Sequence, residues 1–371
     1  MSFGLIPAAY SELPGWAEDD PSDLLGSMRR CLAHGREVKP YRTGALGLRP
    51  ELLAEIFEQA VEIDPQGPAE MRTFIETRFQ PFRIRPASGD AGFVTAYYEP
   101  IVDVSEHRDH EFQHPFYRRP SDLVDLDEAN RPLELDPSYA FGQRRPDGTI
   151  CAYLDRGEID RGGLAGRGLE IAWARSRVDV FFAHVQGAAR LRYPDGAIRR
   201  ITYAAKAGHP FSGIGRRLIE LGEVAEAEIS MQSIRAWLAA HEDRQDEILW
   251  TNRSYIFFRD AEVSDLALGP VAAAKVPLQP MRSIAVDRTI HTFSSLFYLS
   301  SDSLTHLTGG KPFRRLMMAL DTGTAIVGPA RADIFTGSGD AAGELAGNVR
   351  DAADFFLLLP HRAARELGYG E

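Results

Sequence analysis

Apolar residues recur at helical spacing in three segments near the start of the chain. In the first segment they are three or four residues apart, as on one face of a helix: Leu24, Leu25, Met28, Cys31 and Leu32. Asp20 can cap this helix, and Gly35 is expected to end it. The same spacing predicts a second helix from Pro50 and a third from Pro68 toward Phe79. These helices are expected to pack against a core.

The pattern changes to that of β-strands from Gly92 onward. Residues 93–99 are rich in aromatic and β-branched side chains, and Pro100 ends the run. Residues 105–148 are polar and rich in proline, arginine and aspartate, which indicates loops and short strands that leave one domain and enter another. We therefore place a domain boundary near Val104.

The middle of the chain mixes helical and strand patterns. Residues 179–203 predict a helical or extended run followed by a hairpin that turns at Asp195 and Gly196. Two helices and then a strand are predicted after it, over residues 214–221, 230–241 and 252–259. A second domain boundary is expected near Trp250.

The last third alternates short apolar runs with turns that contain glycine. Strands are predicted here at residues 283–287, 324–328, 333–335 and 355–360. Several short strands separated by such turns are typical of a small β-barrel.

The length and composition indicate a soluble, folded protein of two domains, or of one domain that carries a large insertion. At 371 residues, the chain is longer than one hydrophobic core usually organises. Hydrophobic residues make up 44% of it and charged residues 26%, as in ordinary globular proteins. No apolar stretch reaches the roughly eighteen residues of a membrane span, and the first residues lack the pattern of a signal peptide.

Charge and metal-binding residue types narrow the possible partners. The net charge of −11 argues against a nucleic-acid-binding protein, because no long basic stretch offsets it. Cys31 falls on the apolar side of the first helix, so a buried free thiol is favoured over a disulfide with Cys151. His107, His110 and His114 lie in a polar segment, where solvated side chains are favoured over a metal site. We expect neither a metal nor a cofactor.

Three aspartates end or follow short predicted strands in the last third. They are Asp287 in SIAVD, Asp321 in DTGTAI and Asp333 in ADIFTGSG. Carboxylates in such positions are candidates for acid–base chemistry. Aspartate beside threonine, glycine or serine also caps turns, and for each residue taken alone the turn is the better explanation.

These three segments together resemble the three-aspartate C-terminal module of the membrane-bound lytic transglycosylase A family. The resemblance extends over essentially the whole chain through the upstream segments LPGWAEDD, FVTAYYEP, YRRPSDLV, RGGLAGRGLEIAW, FFAHVQG, GIGRRL and NRSYIFFR. It implies a lytic transglycosylase that cleaves the glycan strands of peptidoglycan without water and leaves 1,6-anhydro ends. The family's catalytic aspartate corresponds to Asp333, with Asp321 and Asp287 as supporting residues. Substrate-binding roles are expected for Thr95, Tyr97, Tyr98, Gln186 and Gly187.

The resemblance also implies the fold class. It predicts a mostly β protein with N-terminal helices, in which both chain ends, residues 1–104 and 250–371, build a double-psi β-barrel that carries the catalytic aspartate. Residues 105–249 would form an inserted β-rich domain, with a glycan groove beside the barrel.

Two other functions remain open from the sequence. A glycoside hydrolase on the same barrel would use two aspartates and water, and a non-catalytic module would only bind the cell wall. For the transglycosylase we expect a monomer in the periplasm of a Gram-negative bacterium, with peptidoglycan glycan strands as its partner and no nucleic acid. Membrane association is expected only if a lipid anchor has been trimmed from the N-terminus.

Overall fold

A computed structural model describes residues 3–87, 89–263 and 265–369. The chain divides into two compact units, with the divisions after Tyr98 and after Glu262. The first unit contains both ends of the chain, and the second is inserted between them. Among the helices of these described ranges, none is both long and apolar enough to cross a membrane.

Strands dominate both units. In chain order they are β1 (Phe3–Pro7), β2 (Phe79–Pro86), β3 (Gly92–Glu99), β4 (Ile101–Ser105), β5 (His114–Tyr117), β6 (Leu123–Asp125), β7 (Phe141–Arg144), β8 (Ile150–Cys151), β9 (Glu170–Ala174), β10 (Ala188–Arg192), β11 (Ile198–Lys206), β12 (Ile256–Asp260), β13 (Ser283–Val286), β14 (Leu296–Ser301), β15 (Phe313–Asp321), β16 (Arg331–Ser338) and β17 (Arg350–Pro360). The α-helices are α1 (Leu24–Glu37), α2 (Pro50–Ile63), α3 (Gly67–Glu76), α4 (Arg156–Glu158), α5 (Arg177–Gln186), α6 (Ile214–Glu220), α7 (Met231–Ala240), α8 (Gln245–Leu249), α9 (Asp340–Ala346) and α10 (His361–Glu366).

Six strands of the first unit close into a barrel. Their order is β17, β14, β15, β13, β16 and β3, and β3 pairs back with β17. β13 and β15 are parallel, whereas β14 is antiparallel to both β15 and β17. β2 extends the sheet from β17, and β1 extends it from β2. This closed barrel built from both chain ends, with a β-rich unit inserted, confirms the predicted fold class.

Apolar side chains of the helices and strands form one core in the first unit. Every residue of β14 is buried. Helix α1 buries the face that its apolar spacing predicts: Leu24, Leu25, Met28, Cys31 and Leu32. Full burial of one such side chain contributes about 1.5–3 kcal/mol, so packing holds α1 in place more than its intrinsic helix propensity does.

Cys31 and Cys151 are both free thiols, as the sequence predicts. Cys31 is buried in the core, and burial raises the pKa of its thiol to about 12. At neutral pH this thiol is therefore protonated and behaves as a small apolar side chain.

A buried ion pair ties the N-terminal segment to the barrel. Arg282, directly before β13, donates to Oδ1 of Asp19 at 2.8 Å and to Oδ2 at 3.0 Å. The two side chains are 5% and 3% exposed. The backbone N–H of Leu316 also donates to Oδ2 of Asp19, at 2.8 Å. Each charge is therefore compensated although both are removed from water.

The second unit has a main sheet of six strands in the order β12, β11, β10, β4, β9 and β5. A bridge between Arg118 and Phe258 joins the two ends of this sheet. β10 and β11 are antiparallel and follow helix α5, which confirms the predicted hairpin at Asp195 and Gly196. β6, β7 and β8 form a separate small sheet.

The divisions between the units differ from the boundaries predicted near Val104 and Trp250. β4 contains Val104, but it pairs with β9 and β10, so it belongs to the inserted unit. β12 follows Trp250, yet it pairs with β11 and belongs to the same unit. Strand pairing therefore places both strands with the insertion.

Several local predictions are wrong. Helix α1 does not end at Gly35 but continues to Glu37, close to Pro40, which disfavours helical geometry at the residue before it. Residues 324–328 are a loop rather than a strand. Strands are predicted only from Gly92 onward, but β1 and β2 lie before it. Their sequence pattern does not reveal them because prolines interrupt it. The sequence pattern also does not predict β14 and β15. Both are mostly buried and lack the alternation of apolar and polar residues that marks a half-exposed strand.

Candidate active site

Two neighbouring barrel strands bring four polar side chains together. Thr95 and Tyr97 are two residues apart on β3, and Arg331 and Asp333 are two residues apart on β16. Residues two apart on a strand point to the same face of the sheet. Because β3 and β16 are adjacent in the barrel, these four side chains lie in one cluster.

Asp333, the predicted catalytic aspartate, lies within β16 and is partly exposed. Its Oδ1 accepts a hydrogen bond from the hydroxyl of Thr95. Loss of solvation raises the pKa of its carboxyl to about 6. The Thr95 hydrogen bond and the Arg331 cation oppose this rise, and the charge of Asp321 adds to it. A carboxyl with this pKa is partly protonated in weakly acidic solution, so it can donate a proton.

Arg331 is a member of the cluster that the sequence analysis missed. Its Nη2 donates to Oγ1 of Thr95 at 2.7 Å, and its guanidinium lies over the ring of Phe93, 5.2 Å from the centroid. The sequence does contain a signal for it, because a residue two positions before Asp333 on a strand must share its face.

Asp321 ends β15 and is held by three donors. Its Oδ1 accepts from the backbone N–H groups of Thr322 at 2.9 Å and Ala273 at 3.2 Å. Its Oδ2 accepts from the hydroxyl of Tyr97 at 2.9 Å. Burial raises the pKa of Asp321, and these three hydrogen bonds oppose the rise. Both oxygens are therefore engaged within the protein.

Ala285 of β13 sets the spacing between the two aspartates. It pairs with Asp321 on β15 and with Asp333 on β16. Two strand spacings separate the paired backbones, which corresponds to roughly 10 Å between the aspartate Cα atoms. At this range the charge of Asp321 still raises the pKa of Asp333.

Tyr97 and Tyr98 point to different surroundings. Tyr97 is half-buried, and its ring centroid lies 5.4 Å from that of Phe335. Burial and the neighbouring Asp321 raise the pKa of Tyr97 well above its usual value, so its hydroxyl keeps its proton. Tyr98 is only 5% exposed, and its ring packs against Gly343, where a Cβ would come within 2.8 Å of the ring.

Asp287 is buried just after β13 and binds backbone. Its Oδ2 accepts from the N–H of Gly328 at 2.9 Å, and its Oδ1 accepts from the hydroxyl of Thr289 at 2.6 Å. Burial alone would raise the pKa of Asp287, but these hydrogen bonds outweigh it and the pKa is lowered. Nearby, Nε2 of His291 donates to the carbonyl of Pro329 at 2.8 Å. Both side chains fix the loop that joins β15 to β16.

Gln186 and Gly187 lie in the inserted unit, where α5 ends. Gln186 is the last residue of the helix and is half-buried. Gly187 follows with a positive φ of 76°, a conformation that glycine adopts without strain. The positive φ at the end of α5 therefore accounts for a glycine at position 187.

The three histidines of the predicted polar segment are not grouped to hold a metal ion. Within the part of the chain that the structure describes, no group of three histidine, cysteine or acidic side chains is placed to hold a metal ion. His107 and His110 are exposed, and His114 is half-buried.

Two family models match the chain. The model described as the 3D domain matches residues 282–359, which include Asp287, Asp321 and Asp333. The model described as the MltA specific insert domain matches residues 93–259. The second match covers almost the whole inserted unit.

A crystal structure of the membrane-bound lytic murein transglycosylase from Agrobacterium tumefaciens is similar over nearly the full length. The two chains are 56% identical with a TM-score of 0.93, and the alignment covers 98% of this chain and 99% of that one. The chain belongs to the membrane-bound lytic murein transglycosylase A family. The resemblance inferred from the sequence motifs is thereby confirmed.

Other members of the transglycosylase A family are more distant. The membrane-bound lytic murein transglycosylase A of Escherichia coli K12 is 33% identical over 258 residues, which make up 68% of this chain and 61% of that protein. The match therefore spans less than two thirds of this curated relative. A crystal structure of the E. coli protein with bound chitohexaose is 25% identical, with a TM-score of 0.68 and coverage of 96% of this chain and 91% of that chain.

Proposed function

We propose that this protein is a lytic transglycosylase that cleaves the β-1,4 bond between N-acetylmuramic acid and N-acetylglucosamine in peptidoglycan, with Asp333 as its single general acid and base. The observation that carries the proposal is the carboxyl of Asp333, whose pKa is raised to about 6. Membership in a family of lytic murein transglycosylases supports the substrate class.

One carboxyl is sufficient because the substrate supplies the nucleophile. Asp333 gives its proton to the glycosidic oxygen while the bond from that oxygen to C1 of the muramic acid breaks. The C6 hydroxyl of the same sugar attacks C1, and its proton returns to Asp333. The product carries a 1,6-anhydro ring, no water is consumed, and the carboxyl regains its starting state. Nucleophile and electrophile belong to one ring, which provides the proximity that the reaction needs.

The surroundings of Asp321 favour this route over a hydrolase with two aspartates. A second catalytic carboxylate would have to take a proton from water. Asp321 instead accepts hydrogen bonds from Thr322, Ala273 and Tyr97, which occupy both of its oxygens. We assign it a supporting role, in which its charge keeps Asp333 protonated to higher pH. Asp287 supports the site through the loop that it binds.

Substrate contacts are proposed for part of the predicted set. Thr95 and Tyr97 lie in the cluster around Asp333 and are partly exposed, so a sugar that reaches Asp333 also meets them. We propose that Gln186 and Gly187 of the inserted unit also bind glycan. Tyr98 is too buried to stack on a sugar, so we assign it a packing role instead.

The relatives also suggest where the protein works. The curated relatives are named membrane-bound, and the E. coli protein binds chitohexaose, a chain of sugars, in its crystal structure. We propose that this protein acts as a monomer on glycan strands in the periplasm of a Gram-negative bacterium. Association with a membrane would require a lipid anchor at its N-terminus.

Mass spectrometry of the fragments released from purified peptidoglycan tests the proposal. The wild-type protein and the Asp333→Asn variant are compared, with Asp302→Asn as the control because Asp302 is 82% exposed in the same unit. We expect fragments one water lighter than hydrolysis products from wild type and control, and none from Asp333→Asn. Reducing-end fragments would identify a hydrolase instead. An absence of fragments from all three, beside an active reference enzyme, would favour a wall-binding module.

A further inference from the structure

The hydrogen bonds of Thr95 form a directed chain. A hydroxyl has one proton to donate. Oγ1 of Thr95 accepts from Nη2 of Arg331 at 2.7 Å, and it donates to Oδ1 of Asp333. A guanidinium can only donate, so the first bond runs from Arg331 to Thr95. The Thr95 hydroxyl uses its one proton for the second bond, which runs to Oδ1 of Asp333.

This direction distinguishes the two oxygens of Asp333. In the arrangement in which Thr95 donates to Oδ1, Oδ2 is the oxygen on which the neutral carboxyl carries its own proton. Oδ2 has no hydrogen-bond partner among the residues that the structure describes. The acidic proton is therefore on the oxygen that the protein leaves available.

Arg331 is itself fixed in place. Its Nη1 donates to the carbonyl of Ala332, and its guanidinium lies over the Phe93 ring at 5.2 Å from the centroid. A planar guanidinium held by a backbone carbonyl and an aromatic face has little freedom to turn. It can therefore hold the hydroxyl of Thr95 in one orientation.

We propose that Arg331 is a positioning residue for the general acid. Through Thr95 it directs a hydrogen bond onto Oδ1 of Asp333 and keeps Oδ2 as the oxygen that exchanges the proton with the substrate. This inference rests on the proposed role of Asp333, but it assigns a function to a side chain outside the three aspartates.

The charges around Asp333 set the expected direction of each effect. Arg331 on β16 stabilises the ionised carboxylate, and so does the Thr95 hydroxyl on β3. Asp321 on β15 destabilises it, while the neutral Tyr97 hydroxyl on β3 binds Asp321. Removal of the Arg331 charge must therefore raise the pKa of Asp333.

The test compares the pH dependence of kcat/KM on peptidoglycan for wild type, Arg331→Met, Arg331→Lys and Thr95→Val. Activity requires protonated Asp333, so it falls as the pH rises through about 6 in wild type. In Arg331→Met we expect kcat/KM to fall at a pH about one unit higher than in wild type, and its value on the low-pH plateau to be about tenfold lower. Arg331→Lys keeps the charge, so the fall stays near its wild-type pH and part of the plateau returns.

A double variant separates positioning from a general loss of structure. If Arg331 acts through Thr95, the plateau of Thr95→Val with Arg331→Met is no lower than that of Thr95→Val alone. Arg83→Met is the matched control, because Arg83 is a half-exposed arginine on β2 of the same unit, paired with Asp354. It should leave plateau and pH profile unchanged. The inference is overturned if the losses of low-pH kcat/KM in the two single variants add in the double variant. It is also overturned if Arg331→Met does not change the pH at which kcat/KM falls.

Carboxyl ¹³C NMR distinguishes a failure of the inference about Arg331 from a failure of the proposed function. The signal of Asp333 is identified by its loss in Asp333→Asn, and its titration is followed without substrate. We expect the pKa measured for Asp333 to be higher in Arg331→Met than in wild type. An unchanged titration refutes the influence of Arg331 even if the enzyme is active. An absence of anhydro products refutes the function whatever the titration shows.

Discussion

The hydroxyl of Tyr97 donates a 2.9 Å hydrogen bond to Oδ2 of Asp321 and so connects β3 to the end of β15. Tyr97 is two residues from Thr95, which binds Asp333. One strand therefore holds both aspartates of the site, each through a hydroxyl group. The two carboxyl groups are thereby fixed relative to each other, and their charges interact in a constant geometry.

Asp321→Asn should shift the pH profile in the direction opposite to Arg331→Met. The charge of Asp321 raises the pKa of Asp333, so its removal lowers that pKa and the fall in kcat/KM moves to lower pH, by about half a unit. Steady-state rates on peptidoglycan between pH 4 and pH 8, with Asp302→Asn alongside, measure this. A shift to higher pH would contradict the coupling between the two carboxyl groups.

Asp333→Asn should stabilise the protein at pH 8 and have little effect at pH 4. The folded protein raises the pKa of Asp333 from 3.8 to about 6, so it binds the proton more tightly than the unfolded chain does. The stability linked to this proton is present below about pH 4 and is lost as the pH rises through 6. We expect a gain of roughly 1–3 kcal/mol at pH 8.

Urea unfolding at both pH values, followed by tryptophan fluorescence, to which the buried Trp16 of the barrel unit contributes, tests this. Asp302→Asn at an exposed position should change neither value. An equal gain at pH 4 and pH 8 would mean that the substitution acts through packing rather than through charge.

Asp19→Ala should destabilise the barrel unit by about 3–5 kcal/mol. The substitution leaves Arg282 buried without its counter-charge and removes an acceptor from the N–H of Leu316. Urea unfolding measures the loss. Asp302→Ala is the control, because Asp302 is 82% exposed in its pair with Arg314, and such pairs contribute at most about 1 kcal/mol. Equal effects of the two substitutions would contradict the role of burial.

Gly269→Ala should lower both stability and activity. The Cβ of an alanine at position 269 would lie 2.3 Å from ring atoms of Phe335, which is fully buried and neighbours Tyr97. Overpacking of this kind costs about 1–3 kcal/mol, and the displaced ring disturbs the site. Thermal unfolding and rates on peptidoglycan report the two effects.

Gly35→Ala is the matched control for that substitution. Gly35 lies within α1 with no heavy atom near its Cβ position, so alanine there should stabilise the helix by about 0.5–1 kcal/mol. Unchanged stability in Gly269→Ala would show that the Phe335 ring can move aside without cost.

Motifs in the sequence predicted the family, the barrel and the positions of the acidic residues. Thr95 and Tyr97 were selected together with Asp321 and Asp333, and they bind these two aspartates. The alternation of side chains along β3 is a local property, so two residues on the same face of that strand can be recognised from sequence alone.

Other features depended on which strands pair. The spacing of Arg331 from Asp333 predicts a shared face, but its hydrogen bond to Thr95 depends on β16 lying beside β3, which neither spacing nor residue type specifies. The limits of the inserted unit follow from the pairing of β4 and β12. The apolar residues at 324–328 predict a strand, whereas this segment is a loop that a hydrogen bond from the N–H of Gly328 to the distant Asp287 holds in place.

Thr95 and Asp333 are 238 residues apart in the chain. The barrel that joins them also needs β17, which runs to Pro360 and pairs with β2, β3 and β14. During synthesis, a ribosome must therefore translate β17 as far as Pro360 before the closed barrel can hold the hydroxyl against the carboxyl. Contacts of such long range form slowly. A polypeptide that stops before β17 lacks a closed barrel, so the proposed general acid is assembled only in chains that include this strand.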